Sequence, residues 1–336
     1  MDRGEARPWR VALAGAGWVS AHHLAGWAKV PGARVVGIAD PDPARARARA
    51  TAFGVEAVFA DTADMLDALR PDALDVCAPP AVHAELCALA AHRGIATSCQ
   101  KPLAPTLTEA RAVVALARGR MRLMVHENWR FRAPYRQVDA WLRGGAIGEL
   151  TNFRLRAASS GLLPDAQGQR PALTRQPLLA RLPRLAVGEL LVHHLDVARW
   201  LLGELAVERA RLTRACPAVV GDDSAVIALV RADGMPVEVA GSFNDPDAGD
   251  AVRDTLAVEG TRGRIDFDGT TLTLSGTQQA TLAFDPADVY EGSYAAAIAH
   301  FARAVRDGTD FETPGDEHLR TLALVEDAYR LAGACR

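Results

Sequence analysis

The stretch that decides the fold is WRVALAGAGWVS, residues 9–20. An apolar run reaches Gly15, and Gly17 completes a G-x-G spacing just before residues that favour a helix. A strand that turns through glycines into a helix lets backbone N–H groups approach a pyrophosphate, so the stretch predicts a dinucleotide-binding turn. The motif is incomplete, because Ser20 stands where a third Gly or Ala usually packs the helix on the strand.

The second predicted strand, 33–40, strengthens this interpretation because it ends in Asp40. A carboxylate there accepts hydrogen bonds from a ribose 2′-hydroxyl and repels a 2′-phosphate, which favours NAD over NADP. Arg45 keeps NADP open as the alternative. A structural glycine turn that binds no ligand is the other alternative.

Short apolar strands alternate with helical stretches from residue 9 to a last strand at 121–126. This alternation is typical of a parallel sheet with helices on both faces. Beyond it the pattern becomes α+β, with helices at 134–143 and 189–202, strands between 150 and 276, and two closing helices. We therefore predict an α/β protein with a Rossmann doubly wound parallel sheet in residues 1–126. Residues 127–336 are predicted to form an α+β substrate-binding and oligomerisation domain with a large, open, mostly antiparallel sheet.

Composition excludes several classes of function. The 336 residues carry a formal net charge of −3, which gives no electrostatic basis for binding nucleic acid or an anionic membrane. The sequence lacks an apolar stretch of transmembrane length, and its first residues lack the apolar core of a signal peptide. The five cysteines are not closely paired, which is typical of a reducing compartment, so we expect a cytoplasmic protein.

The strand SAVIALV, residues 224–230, is apolar on both of its alternating faces. One face can pack on helices of the same domain, and the other needs a second cover, most simply another subunit. We therefore expect a homodimer or homotetramer formed through the C-terminal sheet.

Lys101 is one of only two lysines, with Lys29, among 38 basic Lys and Arg residues. It follows the fifth predicted strand, at the sheet edge where ligands bind in doubly wound folds. An ammonium group in a dry pocket can release its proton, whereas a guanidinium cannot. A solvated surface lysine is the alternative.

A second cluster of ionisable groups lies in GELLVHHLDVARWLLGE, residues 188–204. On a regular helix its polar residues form one stripe and its leucines and alanine another, so the polar stripe is predicted to form the wall of a site. A solvated polar face is the alternative. Zinc ligation is a further alternative, but no HExxH or paired-cysteine spacing supports it, and we predict no metal. The polar stripe is Glu189, His193, Asp196 and Trp200, and the apolar stripe is Leu191, Leu195, Ala198 and Leu202.

Six segments stand out in order along the chain: GAGWVSAHH at 15–23, the stretch at 75–104 that contains QKPLA, HENWRF at 126–131, VHHLDVARWLLG at 192–203, LAVEGTRGRIDF at 256–267 and YAAAIAHFARAVRDG at 294–308. Together they resemble the glucose–fructose oxidoreductase/inositol dehydrogenase (Gfo/Idh/MocA) family. The resemblance implies a Rossmann domain joined to an α+β domain whose open sheet often pairs subunits. It also implies an NAD(P)-dependent enzyme that moves hydride between nicotinamide and a secondary alcohol or carbonyl of a sugar, sugar derivative or polyol.

The resemblance also implies catalytic roles. Lys101 matches the lysine of the family's Glu-Lys-Pro motif, and Glu189 with His193 matches its Asp-x-x-x-His pair. His193 is then the general base, oriented by Glu189, and Lys101 stabilises the same oxygen. Departures from the family pattern are Gln100 for Glu, Glu189 for Asp, and ARLPRLAVG, residues 180–188, for a glycine-rich approach.

The candidate site follows from these arguments together. For His83, a capping or structural role is the alternative. For Trp129 and Phe131, the alternative is a place in the hydrophobic core. Alternative functions are an NAD-dependent glycosidase-type enzyme, a non-enzymatic NAD-binding protein and a metallohydrolase. The predicted cofactor-binding residues are Gly15, Gly17, Trp18, Val19, Asp40, Ala78, Pro79, His83, Gln100, Lys101 and Asn128. The predicted substrate-binding residues are Lys101, Arg130, Arg184, Glu189, His193 and Asp196.

Overall fold

The computed structural model describes residues 7–333, which fold into two compact units. The first unit runs to Asn128 and includes Glu291–Arg320, and the second comprises Trp129–Tyr290 and the chain from Thr321. The domain boundary predicted between residues 126 and 127 stays a prediction. The two compact units differ from it, because Glu291–Arg320 belongs to the first unit. Residues 1–6 belong to the N-terminal stretch whose apolar run is predicted to be too short for a signal peptide. They lie outside the described residues.

The first unit is built on a six-stranded sheet whose strands all run parallel. Its order, β3-β2-β1-β4-β5-β6, reverses direction between β1 and β4, as in a doubly wound Rossmann sheet, so this fold prediction is confirmed. The strands are β1 Trp9–Ala14, β2 Ala33–Ala39, β3 Ala57–Phe59, β4 Ala73–Val76, β5 Ala96–Gln100 and β6 Leu123–His126.

The helices of this sheet begin at the local signals that the sequence carries. The Asp42 carboxylate accepts the N–H groups of Ala44 and Arg45, and Pro43 opens α2. Thr106 and Glu109 form the predicted capping box at the start of α5. The helices are α1 Ser20–Trp27, α2 Pro43–Phe53, α3 Thr62–Leu69, α4 His83–Arg93 and α5 Leu107–Ala117.

The late segment Glu291–Arg320 belongs to the first unit because it completes the edge of this sheet. The Val125 N–H donates to the Thr313 carbonyl at 2.8 Å, and the Thr313 hydroxyl donates to the Val125 carbonyl at 2.7 Å. These bonds protect the open edge of β6, as edge strands require. Phe301 joins an aromatic group with Trp9 and Trp27.

The second unit is built on an eight-stranded sheet in the order β14-β13-β12-β11-β7-β10-β9-β8. Only β7 and β10 pair in parallel, so the predicted large, mostly antiparallel sheet is confirmed. The short strand β14 was not predicted, because GTQQATLA (276–283) lacks the alternation that marks a half-buried strand. The strands are β7 Leu150–Ala158, β8 Leu205–Thr213, β9 Ser224–Arg231, β10 Pro236–Ser242, β11 Arg253–Gly260, β12 Gly263–Phe267, β13 Thr271–Gly276 and β14 Ala280–Ala283.

The helix predicted at 189–202 is regular only from Val192, because Ala186–Leu191 forms a π-helical turn. The Asp222 carboxylate holds the start of this turn by accepting the N–H groups of Leu185 and Val187 at 3.2 and 3.0 Å. The predicted stripe of evenly spaced residues is therefore wrong at its first member, Glu189. The remaining helices are α6 Ala133–Arg143, α7 Pro171–Arg175, α8 Val192–Leu202, α9 Pro286–Asp307 and α10 Gly315–Leu331.

One face of the large sheet is its core face. The π-helical turn and α8 pack on β7, β9 and β10, where Ile227, Leu229 and Val239 are buried. The predicted apolar stripe of Leu191, Leu195, Ala198 and Leu202 is buried as expected. Across residues 7–333, no helix combines the length and the apolar character needed to span a bilayer.

Candidate active site

The glycine turn after β1 leaves no room for a side chain at its first position. Gly15 has a φ of +96°, and a Cβ added there would lie 2.6 Å from the backbone nitrogen of Ala78. The Gly15 N–H donates to the Ala39 carbonyl at 2.8 Å. The turn therefore joins the ends of β1, β2 and β4, and only glycine satisfies both the dihedral angle and the close approach.

The second glycine of the turn faces open space instead. A Cβ added at Gly17 would meet no protein atom within 4 Å. The residues that follow are half-exposed or exposed, with Trp18 42% accessible, and α1 begins at Ser20. An open backbone position beside a helix N-terminus fits the pyrophosphate of a dinucleotide, as the sequence predicts.

Asp40 contributes to this turn as well as to the predicted ribose contact. Its buried carboxylate accepts the N–H groups of Ala16 at 2.7 Å and Asp42 at 2.9 Å, while the Arg45 guanidinium lies 3.8 Å away. Arg49 also donates to the Gly17 carbonyl at 3.0 Å, a contact the sequence analysis missed. Only the tertiary structure distinguishes this arginine from the other arginines of α2.

The backbone around Lys101 is held at two peptide groups, Gln100–Lys101 and Pro102–Leu103. The Lys101 N–H donates to Oε1 of Gln100 at 3.1 Å, and the Leu103 N–H donates to Nε2 of His318 at 3.3 Å. Between them, Nδ1 of His83 lies 3.0 Å from the Pro102 carbonyl oxygen. The half-buried lysine thus extends from a fixed backbone directly after β5.

His83 links this loop to the one after β4. Its Nε2 lies 2.8 Å from the Ala78 carbonyl oxygen, and burial lowers the pKa of the imidazole. This geometry favours the structural interpretation of His83 over direct cofactor contact. Pro79 is exposed, whereas Asn128 is buried and donates to the Ser293 hydroxyl at 2.7 Å.

In the second unit, the His193 imidazole stacks on an indole ring. The ring centroids of His193 and Trp129 are 3.8 Å apart with an interplanar angle of 12°, and His193 is only 4% exposed. The Arg132 guanidinium also lies over the Trp129 ring, at 3.7 Å. Trp129 therefore restrains the orientation of the predicted base, although it is itself buried as a core side chain would be.

Asp254 anchors this stack, and the sequence analysis missed it. Its buried carboxylate accepts hydrogen bonds from Trp129 at 3.2 Å, from Tyr135 at 2.8 Å and from Arg132, and lies 2.8 Å from Nε2 of His194. Burial raises the pKa of Asp254, but Arg132 and His194 outweigh burial, so the pKa lies below its ordinary value. Its inward position on β11 was the available signal, because a charge on an apolar face needs a partner.

Arg130 and Asp196, both predicted to bind substrate, bind each other. The Arg130 Nε and Nη2 atoms donate to the two carboxylate oxygens of Asp196 at 2.7 and 2.6 Å, with both side chains buried. The Thr321 hydroxyl adds a 3.2 Å bond to the same carboxylate. A bidentate pair of this kind shapes the wall of a site more readily than it binds a charged ligand.

Arg184 is likewise engaged, because its guanidinium donates to both carboxylate oxygens of Glu326 at 2.6 and 2.9 Å. It lies 4.8 Å from the centre of the Tyr329 ring. Glu189 is half-buried in the π-helical turn, one turn before His193. The second unit therefore brings together His193 with Trp129 and Arg130 with Asp196, while Arg184 belongs to a separate pair.

One group in the first unit has the composition of a metal site. Ligand-type atoms of His23, Asp75 and Cys77 lie within 4.8 Å of one another in the buried core. Nδ1 of His23 and Nε1 of Trp27 both bond the same Asp75 oxygen, at 2.8 and 2.7 Å. Burial raises the pKa of the Cys77 thiol, which opposes the thiolate form that binds metals. We therefore interpret the group as a hydrogen-bonding cluster.

Comparison with known proteins assigns the chain to a family. Residues 9–127 match GFO_IDH_MocA, described as the oxidoreductase family with an NAD-binding Rossmann fold, and residues 135–266 match the GFO/IDH/MocA C-terminal domain. The chain belongs to the Gfo/Idh/MocA oxidoreductase family. The predicted family and the predicted class of NAD-binding oxidoreductase are confirmed.

Individual members of the Gfo/Idh/MocA family are similar over nearly the whole chain. A D-apiose dehydrogenase of Paraburkholderia graminis is 35% identical, covering 95% of this chain and 86% of its own length. A D-apiose dehydrogenase of Rhizobium rhizogenes is 31% identical, covering 96% and 94%. The crystal structure of an Agrobacterium radiobacter oxidoreductase in complex with NAD+, L-tartaric acid and magnesium superposes with a TM-score of 0.89, at 30% identity, and covers 98% and 97%.

Replacing either glycine of the Gfo/Idh/MocA turn with alanine is expected to affect a different property, stability for Gly15 and NAD binding for Gly17. Gly15→Ala places a Cβ 2.6 Å from backbone at positive φ and should lower the free energy of unfolding by about 2 kcal/mol or more. Gly17→Ala meets no protein atom and should keep its melting temperature, yet bind NAD at least about tenfold more weakly because the pyrophosphate loses close backbone contact. Thermal unfolding and NAD titration check both, and unchanged NAD affinity in Gly17→Ala would contradict the assignment of the turn.

Removing the carboxylate under the Trp129 stack should destabilise the second unit. Asp254→Asn leaves Arg132 without its buried counter-charge and His194 without its carboxylate partner, and we expect a loss of about 3 kcal/mol in denaturant unfolding at neutral pH. Because the folded pKa of Asp254 is depressed, its stabilisation is present above the ordinary carboxyl pKa and is lost as pH falls below about 4. The difference between the wild-type and variant proteins should therefore shrink in acid, and a constant difference would refute this account.

Proposed function

We propose that this protein is an NAD-dependent dehydrogenase of a small, uncharged sugar, with Lys101 and His193 acting on the same hydroxyl group. The observation that carries the proposal is the 35% identity with a D-apiose dehydrogenase over 95% of the chain. Both predicted groups also lie in settings suited to catalysis: a half-buried amine on a fixed loop and a nearly buried imidazole on a stack.

The proposed mechanism divides the work among three side chains. The turn at Gly17 and the carboxylate of Asp40 would hold NAD, which would supply a hydride acceptor for the carbinol carbon. His193 takes the proton of the hydroxyl on that carbon as general base, and Glu189 orients the imidazole. Lys101 donates a hydrogen bond to the same oxygen and stabilises the charge that develops on it. Trp129 limits rotation of the imidazole, so the base need not be ordered during the reaction.

The charge pairs of the second unit favour a neutral substrate over an anionic one. Arg130 and Arg184 are the cationic candidates, and each is bonded bidentately to a carboxylate, Asp196 and Glu326 respectively. Recruiting Arg130 for a sugar acid requires breaking a fully buried pair, which is costly because a buried charge is left behind, whereas the Arg184 pair is half-buried and costs less to open. Hydroxyl groups, by contrast, can bond to paired charges without separating them.

The test is a turnover screen with variants matched by residue type. Wild-type protein should reduce NAD with D-apiose or another neutral sugar or polyol, and should prefer it to the corresponding sugar acid. Lys101→Arg and His193→Gln should each lower kcat by about 100-fold or more, the usual range for an acid–base group. Lys29→Arg, which changes the other lysine, should keep wild-type kcat.

Release of NADH separates this proposal from a glycosidase that oxidises its substrate only transiently. Stoichiometric free NADH is expected here, whereas product formation without net NADH would favour the glycosidase. NAD binding without turnover of any sugar, inositol or glycoside would favour the non-enzymatic alternative. A Lys101→Arg variant with near-native kcat would remove the role assigned to the amine.

We further propose that the protein forms a homo-oligomer through the large sheet. The support is the outward face of β9, where Val226 is 46% exposed between the half-buried Ser224 and Ala228. Val226→Lys should shift the molar mass measured by light scattering from a multiple of 35.8 kDa toward a single chain. Val220→Lys, at an exposed valine outside the strands, is the matched control. An unchanged mass for Val226→Lys would argue against this interface.

We also propose a cytoplasmic location. Within residues 7–333, the cysteines at 77, 87, 99 and 216 are free and buried, which suits a reducing compartment. Cell fractionation tests this directly, and recovery of the protein from an oxidising compartment would exclude it.

A further inference from the structure

A buried polar group lies behind Lys101 in the first unit, and the proposed mechanism does not use it. His23 and Asp75 are completely buried, and Gln100 nearly so. His23 comes from α1, Asp75 from β4 and Gln100 from the end of β5. Together they form a continuous chain of short contacts that ends at the Lys101 peptide.

Only one arrangement of protons satisfies every contact in this chain. The Lys101 N–H can only donate, so the Gln100 atom 3.1 Å away is the carbonyl oxygen Oε1. The other end of the amide is then the NH2 group, which donates to Nε2 of His23 at 2.7 Å. His23 Nε2 must therefore accept, and the imidazole proton lies on Nδ1.

The other end of the chain agrees with this assignment. Nδ1 of His23 lies 2.8 Å from Oδ2 of Asp75, which can accept its proton. Trp27 Nε1 can only donate, and it donates to the same oxygen at 2.7 Å. The carboxylate is therefore oriented by two donors, and it fixes the tautomer of His23 from one side while Gln100 fixes it from the other.

We propose that Asp75, His23 and Gln100 form a relay of hydrogen bonds that positions Lys101 for catalysis. The relay acts through the Lys101 peptide and not on substrate, so its members are positioning residues. The proposal rests on the proposed function, in which the Lys101 amine bonds the reacting oxygen.

The energetics support a role beyond filling the core. A completely buried carboxylate is costly, and an apolar group of similar shape would serve the fold at least as well. Every contact from Asp75 Oδ2 to the Lys101 peptide pairs a donor with an acceptor, and such a chain holds side chains in one arrangement more strictly than an apolar core does. The other oxygen, Asp75 Oδ1, is buried with no hydrogen-bond partner among the described residues. A single arrangement is what a catalytic amine needs, since small misplacements lower the rate.

The first test measures the tautomer in the wild-type protein, and a relay variant serves only to assign the signal. Long-range ¹H–¹⁵N spectra of protein labelled in its histidines distinguish Nδ1–H, Nε2–H and charged imidazole, and loss of a signal in His23→Leu assigns it. The Nδ1–H form is expected for His23 at neutral pH. An Nε2–H or charged imidazole would break the chain of donors and acceptors and overturn the proposal.

The second test follows the Lys101 peptide without reference to activity. Because the chain has only two lysines, protein labelled with ¹⁵N-lysine gives two backbone amide signals, from Lys29 and Lys101. His23→Leu and Gln100→Leu should each speed hydrogen exchange at Lys101 by about tenfold or more, the effect of losing one hydrogen bond. Trp27→Phe is the matched control, because it removes a bond to the same Asp75 oxygen from the same helix without interrupting the relay.

The Trp27→Phe control must leave the hydrogen-exchange rate of the Lys101 amide within about twofold of wild type. The exchange rate of the Lys29 amide reports any general loosening of α1. Equal effects of Trp27→Phe and His23→Leu on Lys101 would show a merely structural cluster and overturn the proposal. If either relay variant fails to fold, the other one decides the outcome.

Steady-state kinetics complete the test and distinguish a failure of the relay proposal from a failure of the proposed function. His23→Leu should lower kcat by about tenfold with the KM for NAD within about twofold, because one positioning bond is lost and the cofactor site is untouched. A change in KM with kcat unchanged would contradict a positioning role. If the wild-type protein turns over no sugar at all, the proposed function fails, while the tautomer and exchange results still decide whether the relay orders Lys101.

Discussion

The constraint on which the first unit depends is the contact of the Gly15 backbone with the backbone of Ala78. It exists because β1, β2 and β4 end at one level of the parallel sheet, where the carboxylate of Asp40 and the carbonyl of Ala39 hold the turn between them. With that turn in place, Gly17 faces open space at the start of α1, and the loops after β4 and β5 leave the same edge. The dinucleotide site and the position of Lys101 both follow from this one close approach.

The two units prepare their chemical groups by the same physical means. In the first, side chains of Gln100, His83 and His318 hold the peptide groups on either side of the Lys101–Pro102 bond. In the second, Asp254 holds Trp129, and Trp129 holds the His193 ring. In both cases a buried polar residue fixes the support of a residue that we propose to be catalytic, and such ordering in advance lowers the cost of reaching the reactive geometry.

Membership of the Gfo/Idh/MocA family sets the reaction class, and the details of this chain narrow it. The pairing of Arg130 with Asp196 and of Arg184 with Glu326 supports the proposed preference for a neutral substrate, because each guanidinium already has a carboxylate partner. Gln100 gives up the charge that the family usually places beside the lysine, and its amide bonds His23 and the Lys101 peptide instead. The carboxylate in this chain of hydrogen bonds belongs to Asp75, which bonds the ring nitrogen of His23 opposite the one that Gln100 bonds.

The amino-acid sequence alone predicts the fold class, the glycine turn, the capping box at Thr106 and the alternating strands and helices of the first unit, because these depend on local periodicity and on residue types with strong backbone preferences. It also indicated Lys101 and His193, through rarity, spacing and family resemblance. Only the tertiary structure decided which polar residues bond each other: Arg130 with Asp196, Trp129 with His193, and Asp75 with His23. It alone also revealed the π-helical turn and the place of Glu291–Arg320 in the first unit. The physical reason is that such contacts join residues distant in sequence, and no local pattern records which buried donor meets which acceptor.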